Sequence, residues 1–192
     1  SLEAFQPGTL LTFTGGGEWN HCTEMQYSSM GFLSLYPQIS KYDGLFSLIK
    51  AKFIESVSKR IVGTADRPIA CLLSGGLDSS LVASIVKRYV PELETFSIGL
   101  KGSEDLKYAQ KVADYLGTKH TSIVVSEEDF FDAIPRVIRA IESYDTTTVR
   151  ASVGNYLVAE YISKHSEAKV IFNGGGSDEL MGGYFLFLYT FP

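Results

Sequence analysis

The sequence is poor in the residues that build disulfide frameworks, metal clusters and membrane spans. Its 192 residues include two cysteines, Cys22 and Cys71, which have neither the number nor the spacing of a disulfide scaffold or a zinc site. No apolar run approaches the length of a membrane span, and no signal peptide is visible at the start. We therefore expect a cytoplasmic protein in a reducing compartment, without a membrane partner.

An excess of basic residues is also missing. Seventeen Lys and Arg residues face 22 Asp and Glu residues, which gives a net charge of −5. This balance, without any basic block, argues against extended contact with nucleic acid. The length and the 45% hydrophobic content are sufficient for one globular core, or for a core with a small appendage.

The most informative stretch is a strand, a glycine turn and a helix. Residues 69–73 are apolar or small and predict a buried strand, and a helical pattern of apolar residues resumes at Leu81. Between them, Gly75 and Gly76 allow backbone N–H groups to approach an anion, and the following helix directs its free amides to the same point. The turn therefore predicts a cradle for phosphate or pyrophosphate. Serine hydroxyls surround it at Ser74, Ser79 and Ser80.

Asp78 conflicts with that cradle unless a cation lies between its carboxylate and the phosphates. Mg²⁺ bridging Asp78 and phosphate oxygens removes the conflict. The alternative is that Asp78 only interacts favourably with the dipole of the helix in whose first turn it lies.

Strands alternate with helices along the rest of the chain, which predicts a Rossmann-like parallel sheet flanked by helices. Ligands of such sheets bind beyond the carboxyl ends of the strands. Four segments are thereby brought to one site: 74–80, 98–99, 144–150 and 174–179. The predicted helices are 45–61, 103–116, a helix to about 144 and 150–165; the further strands are 93–99, 120–125 and 169–172. For the helix to about 144, residues 126–129 supply a cap and an acidic first turn, and Pro135 either starts or kinks it.

Residues 1–40 differ from the remainder. They contain short strand and turn patterns, such as Thr9 to Thr14, and look like a hairpin or linker. We expect 41–192 to form the α/β domain. The three histidines are scattered, so surface or packing roles are expected for them rather than metal ligation.

Several segments carry a family resemblance. The loop 74–80 resembles the pyrophosphate loop of ATP pyrophosphatases, and it lacks the spacing of the Walker nucleotide site. With the other motifs, the chain resembles the synthetase domain of glutamine-hydrolysing asparagine synthetases, in the family's order and spacing. The matching segments are 71–83, 95–99, 142–154 and 170–180.

The resemblance implies a fold, a set of site residues and two bound species, ATP and Mg²⁺. The implied fold is that of the adenine nucleotide α-hydrolase-like ATP pyrophosphatases. Leu72, Ile98 and Gly174 would line the adenosine pocket, and Asp78 and Asp178 would hold Mg²⁺. Thr147 and Arg150 would lie beside the phosphates and the acyl-adenylate, where a guanidinium neutralises charge on departing pyrophosphate. The implied phosphate-loop residues are Ser74, Gly75, Gly76, Asp78, Ser79 and Ser80, and the further nucleotide-binding residues are Gly99, Asn173, Gly175 and Ser177.

The implied reaction is asparagine synthesis. ATP activates aspartate as β-aspartyl-AMP with release of pyrophosphate, and ammonia then displaces AMP. Ammonia would come from glutamine where a glutaminase domain precedes this one, and 1–40 resembles the end of that domain and its link. The nitrogen donor and the oligomeric state, for example a homodimer, are left open.

Three departures from the family pattern qualify the resemblance. Gly175 replaces the glutamate that the family uses for the ammonia proton and the adenylate, and Asn173 replaces the usual serine next to that loop. The glutaminase cysteine is missing at Ser1, and the chain ends before later binding residues, which we interpret as a fragment. Two alternatives follow: a catalytically impaired nucleotide-binding relative, and an amide-forming synthetase with another acceptor. The intact 144–150 segment favours asparagine chemistry over the second.

Overall fold

The structure is a computed structural model that describes residues 3–14, 21–28 and 44–184. The chain divides into two compact units, Ser1–Ile49 and Lys50–Pro192. In the first unit, strands β1 (Thr9–Thr14) and β2 (His21–Gln26) pair antiparallel, with Thr9 opposite Gln26. The predicted strand at 9–14 and the predicted hairpin are confirmed. The predicted boundary near residue 40 lies outside the described residues, so it stays a prediction.

The second unit is built on a parallel sheet of four strands. The strands are β3 (Ile69–Leu72), β4 (Glu94–Leu100), β5 (Lys119–Val125) and β6 (Val170–Phe172), in the order β5-β4-β3-β6. Every neighbouring pair is parallel. The predicted parallel α/β fold is therefore confirmed. Within the described ranges, no helix is long and apolar enough to span a membrane.

Helices cover both faces of this sheet. They are α1 (Leu45–Gly63), α2 (Leu77–Lys87), α3 (Glu104–Leu116), α4 (Glu127–Ile141), α5 (Thr146–His165) and the short α6 (Ser177–Met181). Because successive residues of a strand point to opposite faces, Cys71 packs in a core with α1, α2 and α3, whereas Ala70 packs with Val158 and Ile162 of α5. Helix α4 in turn packs against α5 through Ala133, Val137, Val149 and Val153.

One predicted helix start needs correction, and side-chain capping is the reason. Helix α5 begins at Thr146 rather than at Arg150, because the carboxylate of Asp145 accepts a hydrogen bond of 2.8 Å from the Thr148 N–H. The predicted cap at Ser126 is confirmed, because Ser126 and Asp129 form a reciprocal capping box and helix α4 runs from Glu127 through Pro135 to Ile141. Pro135 thus lies inside this helix and does not start it.

Candidate functional site

The loop between β3 and α2 owes its shape to glycine. Gly75 has a φ of +83°, and a Cβ at this position would lie 2.5 Å from both Ala109 N and Tyr108 C. The loop therefore packs directly against the backbone of α3 and adopts the left-handed conformation that glycine tolerates best. A larger residue at position 75 would have to move one of these two backbone segments.

Serine side chains organise this loop from within. The hydroxyl groups of Ser74 and Ser79 are 2.9 Å apart, and the Ser79 hydroxyl also accepts a hydrogen bond of 3.2 Å from the Ser74 N–H. The Ser80 hydroxyl donates to the carbonyl oxygen of Gly76 at 2.6 Å. Gly76 is the N-cap residue of α2 and provides no side-chain cap for the first-turn amides. These amides are therefore available to an anion.

The loop after β6 lies directly on the start of α2. A Cβ at Gly174 would be 2.7 Å from Ser79 N and 3.0 Å from Asp78 Cβ, so the backbone at 174 touches the first turn of α2. This close approach forms one cleft, here named the glycine cleft. It is lined by Leu72, Ser74, Asp78, Ser79, Asn155, Asn173, Gly174 and Gly175. The sequence predicted this meeting of loops 74–80 and 174–179, and the structure confirms it.

A second cleft, here named the apolar cleft, adjoins the first at the ends of β3 and β4. Its apolar lining is Leu72, Leu73, Phe96, Ile98 and Val158. Its polar lining is Ser74, Ser97, Asp105 and Asn155. The two clefts share Leu72, Ser74 and Asn155, so together they form one continuous site with an apolar section and a section of amides and hydroxyls.

The structure brings half of the predicted site residues to these clefts. Those that line a cleft are Leu72, Ser74, Asp78, Ser79, Ile98, Asn173, Gly174 and Gly175. Those that do not are Gly75, Gly76, Ser80, Gly99, Thr147, Arg150, Ser177 and Asp178. Within the second group, Gly75, Gly76 and Ser80 shape the loop, as described above. Gly99 makes room for α3, because a Cβ there would lie 2.7 Å from the buried hydroxyl of Ser103.

The two predicted catalytic residues lie near the start of α5. Thr147 and Arg150 are exposed there, in the helix that Asp145 caps. Hydrogen bonds from the Thr148 N–H and hydroxyl hold the pKa of the Asp145 carboxyl below its usual range, so the cap is charged at neutral pH. The cap fixes the start of α5, and Thr147 and Arg150 lie in the first two turns after it. Their catalytic roles stay predictions.

The two predicted metal ligands differ in their surroundings. Asp78 is half-buried and lines the glycine cleft, whereas the carboxylate of Asp178 lies against Gly183. Among the described residues, no group of three or more His, Cys, Asp or Glu side chains forms a metal site. Mg²⁺ does not need such a group, because it keeps several waters and is usually held by one or two carboxylates and by substrate phosphates. The two carboxylates therefore fit Mg²⁺ that is bound together with a phosphate.

Two further side chains, Cys71 and His120, line neither cleft. Burial raises the pKa of the Cys71 thiol to about 12, so it does not supply a thiolate. His120 lies between the hydroxyl groups of Thr95 and Ser97, at 2.9 and 3.0 Å, and burial lowers its pKa. His120 on β5 thus packs against β4, and packing was one of the two roles that the sequence predicted for the histidines.

Comparison with known proteins agrees with this geometry. The family model described as asparagine synthase matches residues 48–191. The chain belongs to the asparagine synthase family. It is 41% identical over 182 residues to mouse asparagine synthetase (glutamine-hydrolysing), covering 88% of this chain and 31% of that protein. It is 47% identical over 147 residues to the chicken protein of the same name, covering 73% of this chain and 26% of that protein.

The chain spans about a third of the length of these asparagine synthase relatives. A solved NH3-dependent NAD synthetase from Campylobacter jejuni resembles it with a TM-score of 0.50 and 19% identity, over 72% of this chain and 60% of that one. At this identity the likeness concerns the fold alone. It supports the predicted ATP pyrophosphatase fold for this member of the asparagine synthase family.

One lining residue of both clefts, Asn155, was missed by sequence reasoning. A usable signal was present. Asn155 precedes Val158 and Ile162 by three and seven residues, and both of these pack against the sheet. A polar residue in such an apolar stripe, near the carboxyl ends of the strands, is typical of a ligand-facing position.

Proposed function

We propose that the protein makes asparagine by activating aspartate with ATP. The side-chain carboxylate of aspartate would attack the α-phosphorus of ATP, releasing pyrophosphate and leaving β-aspartyl-AMP. Ammonia would then attack the acyl carbon and displace AMP, which gives asparagine after loss of a proton. The observation that carries this proposal is the contact of Gly174 with the first turn of α2, in a chain of the asparagine synthase family.

That contact supports a specific placement of the nucleotide. The base would occupy the apolar cleft, where Leu72 and Ile98 are part of the apolar lining. The phosphates would occupy the glycine cleft, where the uncapped amides of α2 and the Ser74 hydroxyl can donate to phosphate oxygens. Preorganised donors of this kind stabilise the charge that develops on departing pyrophosphate.

Asp78 in the glycine cleft and Asp178 in the first turn of α6 would hold Mg²⁺ together with the phosphates. When bound, Mg²⁺ supplies positive charge that offsets the repulsion between Asp78 and the triphosphate. Arg150 would add a guanidinium to the departing pyrophosphate, and Thr147 would contact the acyl-adenylate. Ammonia would be delivered from glutamine by a glutaminase domain in the whole protein.

The first half-reaction provides the test of this proposal. We expect the whole protein to exchange labelled pyrophosphate into ATP with Mg²⁺ present, and only when aspartate is added. The physical reason is that reversal of adenylate formation needs the aspartyl acceptor and no nitrogen donor. Glutamate, which is one methylene longer, serves as the control acceptor and should support little exchange. Exchange that is absent, or independent of aspartate, would refute the proposal.

Gly175 supplies a second test, which separates an active synthetase from a binding relative. Gly175→Glu is expected to raise the rate of amide formation about a hundredfold or more, because glycine offers no group for proton transfer. The site can accept the side chain, since a Cβ at 175 would meet only the Asn173 side chain, 3.1 Å from its Oδ1. The rate of AMP release with ammonia and aspartate measures the gain.

Gly175→Gln is the matched control for that variant. Glutamine fills the same space as glutamate but performs no acid–base work, so it should leave the rate near that of the wild type. An equal rate for the Glu and Gln variants, with ATP still bound, would favour a nucleotide-binding relative over a synthetase that lost its proton-transfer group.

A further inference from the structure

Asn155 lies at the junction of the two clefts and has no role in the proposed function. We propose that Asn155 binds a ribose hydroxyl of the nucleotide and thereby selects ribonucleotides over deoxyribonucleotides. This inference rests on the proposed function, because it needs a nucleotide in the site. It adds a specificity-determining residue to that site.

The order of groups in a nucleotide places the ribose next to Asn155. In ATP the ribose connects the base to the phosphates. With the base in the apolar cleft and the phosphates in the glycine cleft, the ribose must lie where the two clefts share their lining. The shared residues are Leu72, Ser74 and Asn155. Leu72 and Ser74 lie at the end of β3 and in the loop after it, so Asn155 is the shared residue that α5 contributes.

The chemistry of the Asn155 amide suits a hydroxyl ligand. Its Nδ2 donates a hydrogen bond of 3.2 Å to the carbonyl oxygen of Ala151, one turn earlier in α5, which orients the amide. In the described part of the chain, no partner is recorded for its Oδ1. A carbonyl oxygen of this kind accepts a hydrogen bond from an O–H group. The 2′- and 3′-hydroxyl groups of ribose are such donors, and deoxyribose lacks one of them.

The Asn155 side chain is exposed in the open cleft, and a bound nucleotide would make the contact selective by covering it. Val158 and Ile162, on the same stripe of α5, are buried at 3% and 4% exposure, and Val158 also lines the apolar cleft. A bound ribose would therefore displace water from the amide and leave Oδ1 without a partner if the hydroxyl were missing. A lost hydrogen bond in such a setting lowers affinity about threefold to tenfold.

Isothermal titration of the whole protein with the Mg²⁺ complexes of ATP, 2′-deoxy-ATP and 3′-deoxy-ATP tests the inference. The wild type should bind ATP about threefold to tenfold more tightly than one of the two deoxy analogues. Asn155→Leu should weaken ATP binding to the level of that analogue and leave the analogue's own affinity unchanged. Asn155→Asp keeps an acceptor oxygen, so it should preserve the ratio even if added negative charge weakens binding of all three nucleotides.

Two results would overturn the role of Asn155. One is a wild type that binds all three nucleotides equally, and the other is an Asn155→Leu variant that weakens all three by the same factor. The proposed function fails separately: a protein with the expected preference for ATP but no aspartate-dependent pyrophosphate exchange would retain the inference and lose the reaction. Unchanged analogue affinity in Asn155→Leu also shows that this variant is folded.

Discussion

Asp78→Asn is expected to lower aspartate-dependent pyrophosphate exchange about a hundredfold or more, the loss typical of removing a group that stabilises transition-state charge. Asp78 is the carboxylate that the structure places in the glycine cleft, next to the first-turn amides of α2. Without its charge, the site loses one of its two proposed ligands for Mg²⁺, and the departing pyrophosphate keeps more of its negative charge. Exchange at saturating aspartate measures the loss.

The affinity for ATP distinguishes this role from a purely structural one. In the presence of a chelator, Asp78→Asn should bind ATP at least as tightly as the wild type, because the carboxylate repels unneutralised phosphates. Addition of Mg²⁺ should tighten binding in the wild type and tighten it less in the variant. If Asp78 served only the helix dipole, Mg²⁺ would tighten binding equally in both proteins.

Glu127→Gln is a matched control for Asp78→Asn. Glu127 is also an acidic residue in the first turn of a helix, α4, so its substitution removes a similar interaction with a helix dipole. It does not line either cleft, and exchange should be unchanged. Exchange that survives in Asp78→Asn, or is lost equally in Glu127→Gln, would contradict a metal-binding role for Asp78.

The parallel fold could be predicted because its helices and strands combine a clear periodicity of apolar residues with clear residues that end each element. Helix α1 shows apolar residues at helical spacing, and two of them, Val57 and Ile61, are buried in the core. Gly117 ends α3 with a φ of +65°, as its position after an apolar pattern predicted. Local chemistry and burial agree in these elements, so the sequence was sufficient to predict them.

The error in the start of α5 arises where a side-chain hydrogen bond overrides the apolar pattern. The threonine run 146–148 has no apolar periodicity, and β-branched residues are weak helix formers, which placed the predicted start of α5 too late. The decisive feature was the Asp145 cap, a contact over three residues. The cap at Ser126, by contrast, was predicted, and its capping box starts α4 ahead of Pro135. Caps of this kind carry as much information as periodicity.

The loops of the candidate site could be predicted, but the residue that α5 contributes to it could not. Strand ends follow directly from an α/β order, so the meeting of Gly174 with Asp78 could be inferred before any coordinates. Which residue of α5 faces the clefts depends on how that helix packs across Phe96, a tertiary contact that sequence spacing does not fix. For the same reason, the sequence could not fix whether Arg150 lines a cleft, and in the structure it does not.

Gly75→Ala is expected to destabilise the protein by about 2 to 5 kcal/mol, which combines two separate costs. A left-handed conformation costs an alanine about 1 to 2 kcal/mol, and crowding in a packed interior adds about 1 to 3 kcal/mol. Crowding is expected because the new Cβ would lie 2.5 Å from the backbone of Tyr108 and Ala109, which cannot turn away as a side chain can. Thermal unfolding should show a midpoint lowered by about 2 to 4 °C for each kcal/mol.

Gly102→Ala is the control that separates the two costs of Gly75→Ala, the crowding against α3 and the left-handed backbone conformation. Gly102 has a φ of +81°, almost equal to the +83° of Gly75, but a Cβ at 102 would meet nothing within 4 Å. This variant should therefore lose only the backbone share, about 1 to 2 kcal/mol. The difference between the two variants measures how firmly the phosphate loop is held on α3. Equal losses would mean that the loop can move away from α3 at no cost, and the cradle of amides would then not be preorganised for an anion.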